Sequence, residues 1–407
     1  MRTGTPLRRA RRLTVTGLVA LVAVAAGAYV PTALLVQLEP ATASVVDVEV
    51  PPIDAPELVL PAYGATGVEA LGLPGTRTLA GDEGPRSIAS ISKVVTALVV
   101  LEERPLDGGD GGSVTFDADD AALREQYLAV DGKVAPLAAG TTLTQRQVTE
   151  VMLVESANNY ATALARWAFG DDGSFAAAAA AWLAEQGLDD TTIVEPTGLS
   201  PDNRSTTTDL LELGRLALAD PDVAAIVGTT STVVPGAGVV ENSNELLGVR
   251  GVVGIKTGTL DEAGACLLFA ADAVLAGRPV TVVGVVLGAV DHDVLDRDVE
   301  ALLASVDART VTVAPVRAGD VLATYETPWG ARADAVAVED VVLSTWGDAD
   351  AGAEVTAGAV GEARQGDEVG EVVVEVGDDL ATVPLRLEGD LPAPSAWWRL
   401  THPAEVL

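Results

Sequence analysis

Hydrophobic positions change their spacing several times along this chain. Leu13 to Gln37 is an uncharged, mostly apolar stretch, long enough to span a bilayer despite Pro31. Residues 38–62 carry Pro40, Pro51, Pro52, Pro56 and Pro61 with acidic residues between them, the composition of a linker or extended arm. From Gly64 to Leu79 short apolar pairs alternate with glycine, which predicts a hairpin of strands. Residues 90–103 predict the first long helix of the folded part, and helical spacing returns at Leu143–Trp167, Ser174–Gln186 and Thr208–Ala219, the last with Thr208 or Asp209 as cap. The stretch "PTGLSPDNRS" (196–205) has loop composition.

The period then shortens. "GVVGIKTGTL", "GACLLFAADAV" and "RPVTVVGVVLGAV" are consecutive apolar runs with turn-length gaps, the pattern of antiparallel strands, and residues 292–306 close them with an amphipathic helix. Strands, helices, strands and a final helix predict an α/β (α+β) sheet covered on both faces, with a helical insert. After Arg309 short Val-rich runs are punctuated by Gly and Asp every 8–12 residues, which predicts a small all-β domain over 310–407. The expected organisation is therefore 1–37 as an export segment, 38–62 as a Pro-rich linker, 63–308 as the α/β domain and 310–407 as the β domain.

Charge narrows the partners. The formal net charge is −34, which disfavours nucleic acid and anionic lipid surfaces. The N-terminus opposes that sign: Arg2, Arg8, Arg9, Arg11 and Arg12 precede the apolar stretch, as in a signal sequence or signal anchor. "ATAS" at 41–44 offers an A-x-A cleavage site, far from the arginines. Either reading exports the rest, because the positive flank stays in the cytoplasm. One cysteine, Cys266, excludes an intrachain disulfide, and one Cys with two separated His makes no convincing zinc site.

Of 25 basic residues, 22 are Arg and three are Lys: Lys93, Lys133 and Lys256. Only an amine among these can lose its proton when desolvated, so each lysine is a candidate for neutral-amine chemistry. Lys133, in "VDGKVAP", fits the plain reading of a lysine left over from a codon bias. The other two fall within three short motifs, Ser90-Ile91-Ser92-Lys93 (S-x-x-K), Ser156-Ala157-Asn158 (S-x-N) and Lys256-Thr257-Gly258 (K-T-G). At i and i+3 of a helix, Ser90 and Lys93 share a face, whereas Ser92 points elsewhere. An apolar helix body desolvates Lys93 and lowers its pKa, so that a neutral amine can take the Ser90 proton. The helix N-terminus favours a developing oxyanion there.

In this order the three motifs resemble the signature of penicillin-binding proteins and serine β-lactamases. The stretches "RSIASISKVVTALVVLE", "MLVESANNYATALA", "PTGLSPDNRSTTTDLLELG" and "NSNELLGVRGVVGIKTGTLDEAGACLLFAA" resemble more narrowly the low-molecular-mass D-alanyl-D-alanine carboxypeptidases of bacterial cell walls, over roughly residues 60–308. That resemblance implies a β-lactamase/transpeptidase-like fold, with a five-stranded antiparallel sheet, flanking helices and a helical subdomain, followed by a small C-terminal β domain. It implies an extracytoplasmic serine peptidase, secreted or held on the outer face of the cytoplasmic membrane by the N-terminal segment. The substrates would be peptidoglycan stem peptides ending in D-Ala-D-Ala and the inhibitors β-lactams, with no metal or cofactor. By the same resemblance Ser90 is the acylated nucleophile, Lys93 its base and Ser156 a proton relay to the leaving amine. Asn158 holds a substrate amide, and Lys256 supplies positive potential. Thr257 and Thr259 bind the terminal carboxylate beside Gly258, and the N–H groups of Ser90 and Thr259 form the oxyanion hole. The ending "WWRLTHPAEVL" departs from the family in showing no obvious amphipathic anchor helix.

Three rival readings remain. His292 ("DHDVL") and His402 (the tail) sit in no triad-like stretch and are expected to be surface residues, and Cys266 is expected in the core. Glu195-Pro196 lies where a β-lactamase carries its water-activating Glu, although "EPTGLSPDN" reads as the carboxypeptidase loop. A non-catalytic wall-binding protein on the same scaffold is the third.

Overall fold

The computed structural model describes residues 6–406; Arg2 of the basic N-terminus lies outside them. Two compact units are present, Pro56–Thr310 and Met1–Ala55 with Val311–Leu407.

The first unit is built on a five-stranded antiparallel sheet in the order Val252–Leu260, Gly264–Leu275, Arg278–Ala289, Ala65–Ala70, Thr78–Gly81. Its three long strands follow one another through tight turns, so neighbours in sequence are neighbours in space. Their apolar runs are continuous because both faces are covered. Cys266, Leu268 and Ala270 belong to the large core shared with the helical subdomain. Leu267 and Phe269 alternate to the opposite face by the two-residue period, and the helix His292–Ala308 packs on these strands. Phe269 pairs with Gly284 across the sheet, and its ring occupies the space a side chain there would fill. On the core face the helix Thr207–Ala219 comes close through Gly214, where an added Cβ would stand 2.6 Å from Val283.

The helical subdomain comprises Ser92–Glu103, Ala118–Leu128, Gln145–Val154, Asn158–Phe169, Asp172–Glu185 and Pro221–Val227. Side-chain caps set most of its helix starts: Asp117 and Thr144 make capping boxes with Asp120 and Gln147, and Asp171 and Asp220 accept from the first turn. Two expectations need correction. The helix after the 196–205 loop is capped by Thr206, whose hydroxyl accepts from Asp209 N, and not by Thr208 or Asp209. The helical run predicted over 143–167 is two helices, broken at Glu155–Ala157, where Ser156 has φ of 68°. A residue in the left-handed region cannot continue a right-handed helix.

The second unit is a six-stranded antiparallel sheet in the order Ala43–Val45, Val321–Glu326, Arg332–Ala337, Asp379–Glu388, Glu368–Val376, Ala351–Ala357. Val372, Val374 and Val376 alternate into its own core with Tyr325 and Leu385. Part of the Pro-rich stretch 38–62 is built into this unit: Ala43–Val45 is an edge strand, and Ala41 and Ile53 form bridges with Val360 and Ala349. The N-terminal helix Pro6–Leu35 and two short helices, Ala396–Thr401 and Pro403–Val406, belong to the same unit.

Candidate active site

Ser90 is not the first residue of an α-helix. It sits in a 3-10 turn, Ala89–Ile91, that leads into the helix Ser92–Glu103. The turn is under backbone strain, since the fully buried Ala89 has φ of 46°. A non-glycine residue there costs roughly 1–3 kcal/mol and persists only where its surroundings enforce it. Two glycines do so. A Cβ on Gly198 would lie 1.9 Å from the Ala89 carbonyl oxygen, and one on Gly258 would lie 3.0 Å from the Ile88 oxygen and 3.3 Å from the Ser90 nitrogen. The loop after Glu195 and the strand carrying K-T-G thus clamp the turn from two sides. Ser92 faces away, donating its hydroxyl to Ala89 O at 2.8 Å.

Lys93 is fully buried. Its Nζ lies 2.8 Å from Ser90 Oγ, 2.6 Å from Asn158 Oδ1 and 2.6 Å from the Thr197 carbonyl. Of these three oxygens only the Ser90 hydroxyl can also donate. A neutral amine has two N–H bonds and one lone pair. With both N–H bonds given to the two carbonyl oxygens, the lone pair is left facing the Ser90 O–H. Burial lowers the Lys93 pKa to about 7, against the nearby Glu195 charge, which raises it, while Lys133 adds to the lowering.

The second motif brackets the break between two helices. Ser156, in the left-handed conformation, faces the cleft, and Asn158 opens the next helix with its N–H donating to Lys133 O at 2.8 Å. In the third motif, Lys256 lies buried on the strand Val252–Leu260 and donates to Thr257 O at 3.1 Å. Burial and the neighbouring Lys93 and Lys133 push its amine well below the ordinary value, so the two buried lysines disfavour double protonation. Thr257 Oγ1 is 2.6 Å from Ser243 Oγ, and Thr259 Oγ1 is 2.7 Å from His292 Nε2.

These groups meet at a cleft of about 570 Å³. Ser90, Ser156, Asn158, Thr257, Gly258 and Thr259 line it, with Lys93 and Lys256 buried beneath. Two residues expected to be ordinary line it as well. Lys133 borders the cleft, so all three lysines of the chain converge on one site. His292 is a correction: it is a cleft residue bonded to Thr259, placed there as the first residue of a helix capped by Asp291. Burial, Lys133 and Lys256 lower its pKa and favour the neutral ring. The rarity of lysine pointed to Lys133, but nothing local in the sequence pointed to His292. Cys266 is in the core as expected, its thiol pushed up to about 11 by burial.

Glu195 is fully engaged. One carboxylate oxygen accepts from Thr197 N and Oγ1, at 2.8 and 2.6 Å, and the other from Gly198 N, Ser200 N and Asn203 Nδ2, at 2.7, 3.2 and 3.2 Å. The carboxylate folds the loop whose Thr197 carbonyl meets Lys93, and is saturated by that task.

A sequence model of the family described as D-alanyl-D-alanine carboxypeptidase matches residues 80–291, just over half of the chain and all three motifs. The chain belongs to the D-alanyl-D-alanine carboxypeptidase family. A D-alanyl-D-alanine endopeptidase of Escherichia coli is 31% identical over 212 residues, 49% of this chain and 63% of that protein. The D-alanyl-D-alanine carboxypeptidase DacB2 of Mycobacterium tuberculosis is 33% identical over 177 residues, 42% of this chain and 57% of that protein. The chain thus spans about three fifths of the length of the curated relatives it matches. Among solved structures, penicillin binding protein 5 of Haemophilus influenzae superposes with a TM-score of 0.56 at 19% identity, covering 84% of this chain and 99% of that one. A DD-transpeptidase of Streptomyces gives 0.54 at 24% identity, covering 62% and 98%. These likenesses establish the fold of the penicillin-binding enzymes, helical subdomain and antiparallel sheet included.

Proposed function

We propose that this protein is a serine D-Ala-D-Ala carboxypeptidase acting outside the cytoplasmic membrane on peptidoglycan stem peptides, and that penicillins acylate it. The observation that carries the reading is the environment of Lys93: a buried amine, two pure acceptors and one serine hydroxyl within hydrogen-bond reach.

In this reading the Lys93 lone pair takes the Ser90 proton as Oγ attacks the carbonyl carbon of the penultimate D-alanine. The oxyanion is received by the N–H groups of Ser90 and Thr259, and the absent side chain of Gly258 lets its strand approach the Ser90 nitrogen. The proton passes through Ser156 to the departing amine of D-alanine, whose carboxylate rests on Thr257 and Thr259. Lys256 keeps the floor electropositive, and Asn158 orients Lys93 and a substrate amide. Water then hydrolyses the acyl-Ser90 ester, with Lys93 again as base; an amine acceptor in place of water would give transpeptidation through the same ester.

The β-lactamase alternative needs a carboxylate free to activate water. Glu195 accepts from five donors and is not free in that sense. Mass spectrometry of penicillin-treated protein, with a D-alanine release assay, tests the reading. An adduct on Ser90 and release of D-alanine from a D-Ala-D-Ala peptide are expected. Rapid β-lactam turnover without D-alanine release would overturn it in favour of a lactamase, and no adduct in favour of a binding protein.

A further inference from the structure

We propose that the N-terminal helix remains on the exported protein as a membrane anchor, and that the C-terminal segment clasps its outer end and sets Trp397 into the lipid headgroup layer. This rests on the export reading alone and is independent of the catalytic one.

The first observation is a reciprocal cap. A helix leaves its last carbonyls without partners. Arg399 Nη1 donates to Ala33 O at 3.3 Å and Val36 O at 2.7 Å, carbonyls at the end of the helix Pro6–Leu35. In return Tyr29 Oη is shared between the carbonyls of Arg399 and Leu400, at 3.3 and 3.1 Å, in the last turn of the helix Ala396–Thr401. Each helix has two carbonyls at or just past its C-terminal end bonded by a side chain of the other. The guanidinium also sits where the helix dipole is negative. Ala33 is completely buried there, although the rest of the apolar span Thr14–Leu35 is almost wholly exposed.

The second observation concerns the chain that follows. Cleavage after Ala43 would remove the Ala41–Val360 bridge, with bonds of 2.7 and 2.9 Å, and the pairing of Ala43 with Tyr325 at the sheet edge. It would also strip the partners from Arg399. The folded unit uses residues on both sides of the A-x-A site.

Length then fixes the depth. The 30-residue helix is about 45 Å long. A hydrocarbon core takes about 20 residues. Counted from Leu13, the residue that follows the last arginine, that core ends near Thr32, which leaves the arginines of residues 8–12 at the cytoplasmic face and Tyr29 within one helical turn of the outer boundary, with Ala33 and Val36 just beyond it. The clasp therefore lies in the headgroup layer. Trp398 is held inside it, stacked on His402 at 4.6 Å and edge-on to Trp329 at 5.8 Å. Trp397 is left 76% exposed beside it. An amphipathic indole facing outward at that depth fits the interface of a bilayer. Neutral zwitterionic lipid suffices, since a chain of charge −34 gains nothing from anionic headgroups.

The full chain expressed in a bacterial host is expected in the membrane fraction, resistant to carbonate extraction, with the intact mass of the uncleaved sequence. A released chain beginning at Ser44 would overturn the proposal. In nanodiscs of phosphatidylcholine brominated near the headgroup, tryptophan fluorescence is expected to be quenched, and Trp397→Phe to remove at least half of that quenching. Arg399→Ala, and separately Tyr29→Phe, are expected to reduce it with the near-UV circular dichroism unchanged. Equal quenching in Trp397→Phe would overturn the interfacial placement, and equal quenching in both clasp variants would overturn the clasp.

Discussion

A lysine buried beneath a cleft governs the chemistry proposed here, so the first consequences are pH effects. Protonated Lys93 cannot accept the Ser90 proton, and its amine titrates near pH 7 because burial disfavours the cation. The second-order rate of acylation by a β-lactam is therefore expected to rise tenfold per pH unit below about 7 and to level off above it. A profile flat from pH 5 to 9 would remove Lys93 as the base. Lys93→Arg keeps a cation there but has no accessible neutral form, and is expected to slow acylation by about 10²–10⁴-fold at all pH values. His292 makes a gentler prediction. Its bond to Thr259 is one neutral hydrogen bond at 2.7 Å. Such a bond contributes about 1 kcal/mol net, so His292→Ala is expected to lower kcat/KM for a D-Ala-D-Ala peptide about fivefold. The loss should be smaller for a substrate whose terminal carboxylate is amidated; an equal loss on both would separate His292 from carboxylate binding.

Elements matter because they hold the strained Ser90 turn and aim the helix starts at the cleft. Gly198 has φ of 83° and its Cβ position is filled by the Ala89 carbonyl. Gly198→Ala is therefore expected to lower the melting temperature and to slow Ser90 acylation together, since the loop cannot keep both its place and the turn's. Retained acylation with full stability would show that the loop does not clamp the turn. Asp291 caps the helix that presents His292. Asp291→Ala is expected to cost about 1 kcal/mol of stability in urea unfolding. Most of the elements behind the site were legible in the sequence. The apolar period marked the helix behind Lys93 and the three strands around Lys256, and the three motifs marked Ser90, Lys93, Ser156, Asn158 and Lys256. The break at Ser156 was not, because "MLVESANNYATALA" keeps a helical period across it. Tertiary bonds hold the chain in that turn, among them Asn158 N–H to Lys133 O and Lys93 Nζ to Asn158 Oδ1.

Among the described residues, the large hydrophobic cluster of Pro56–Thr310 and the cluster of the second unit share no residue. Calorimetry is expected to resolve two transitions, of which acylation by penicillin shifts only the one belonging to Pro56–Thr310. A single transition, shifted as a whole, would contradict independent units.

The sequence by itself determined what is local and periodic: an apolar N-terminal span, the alternation of helix and strand, and three motifs whose residue types imply acyl transfer. Tertiary structure alone decided what depends on distance through space. It brought Lys133 and His292 to the cleft, filled both oxygens of Glu195, turned part of a proline-rich arm into a sheet edge, and paired Arg399 with the end of a helix more than 360 residues earlier. The physical reason is the same in each case. A hydrogen bond or a desolvated charge is set by neighbours in space, and a chain's local pattern encodes its neighbours only over a few residues.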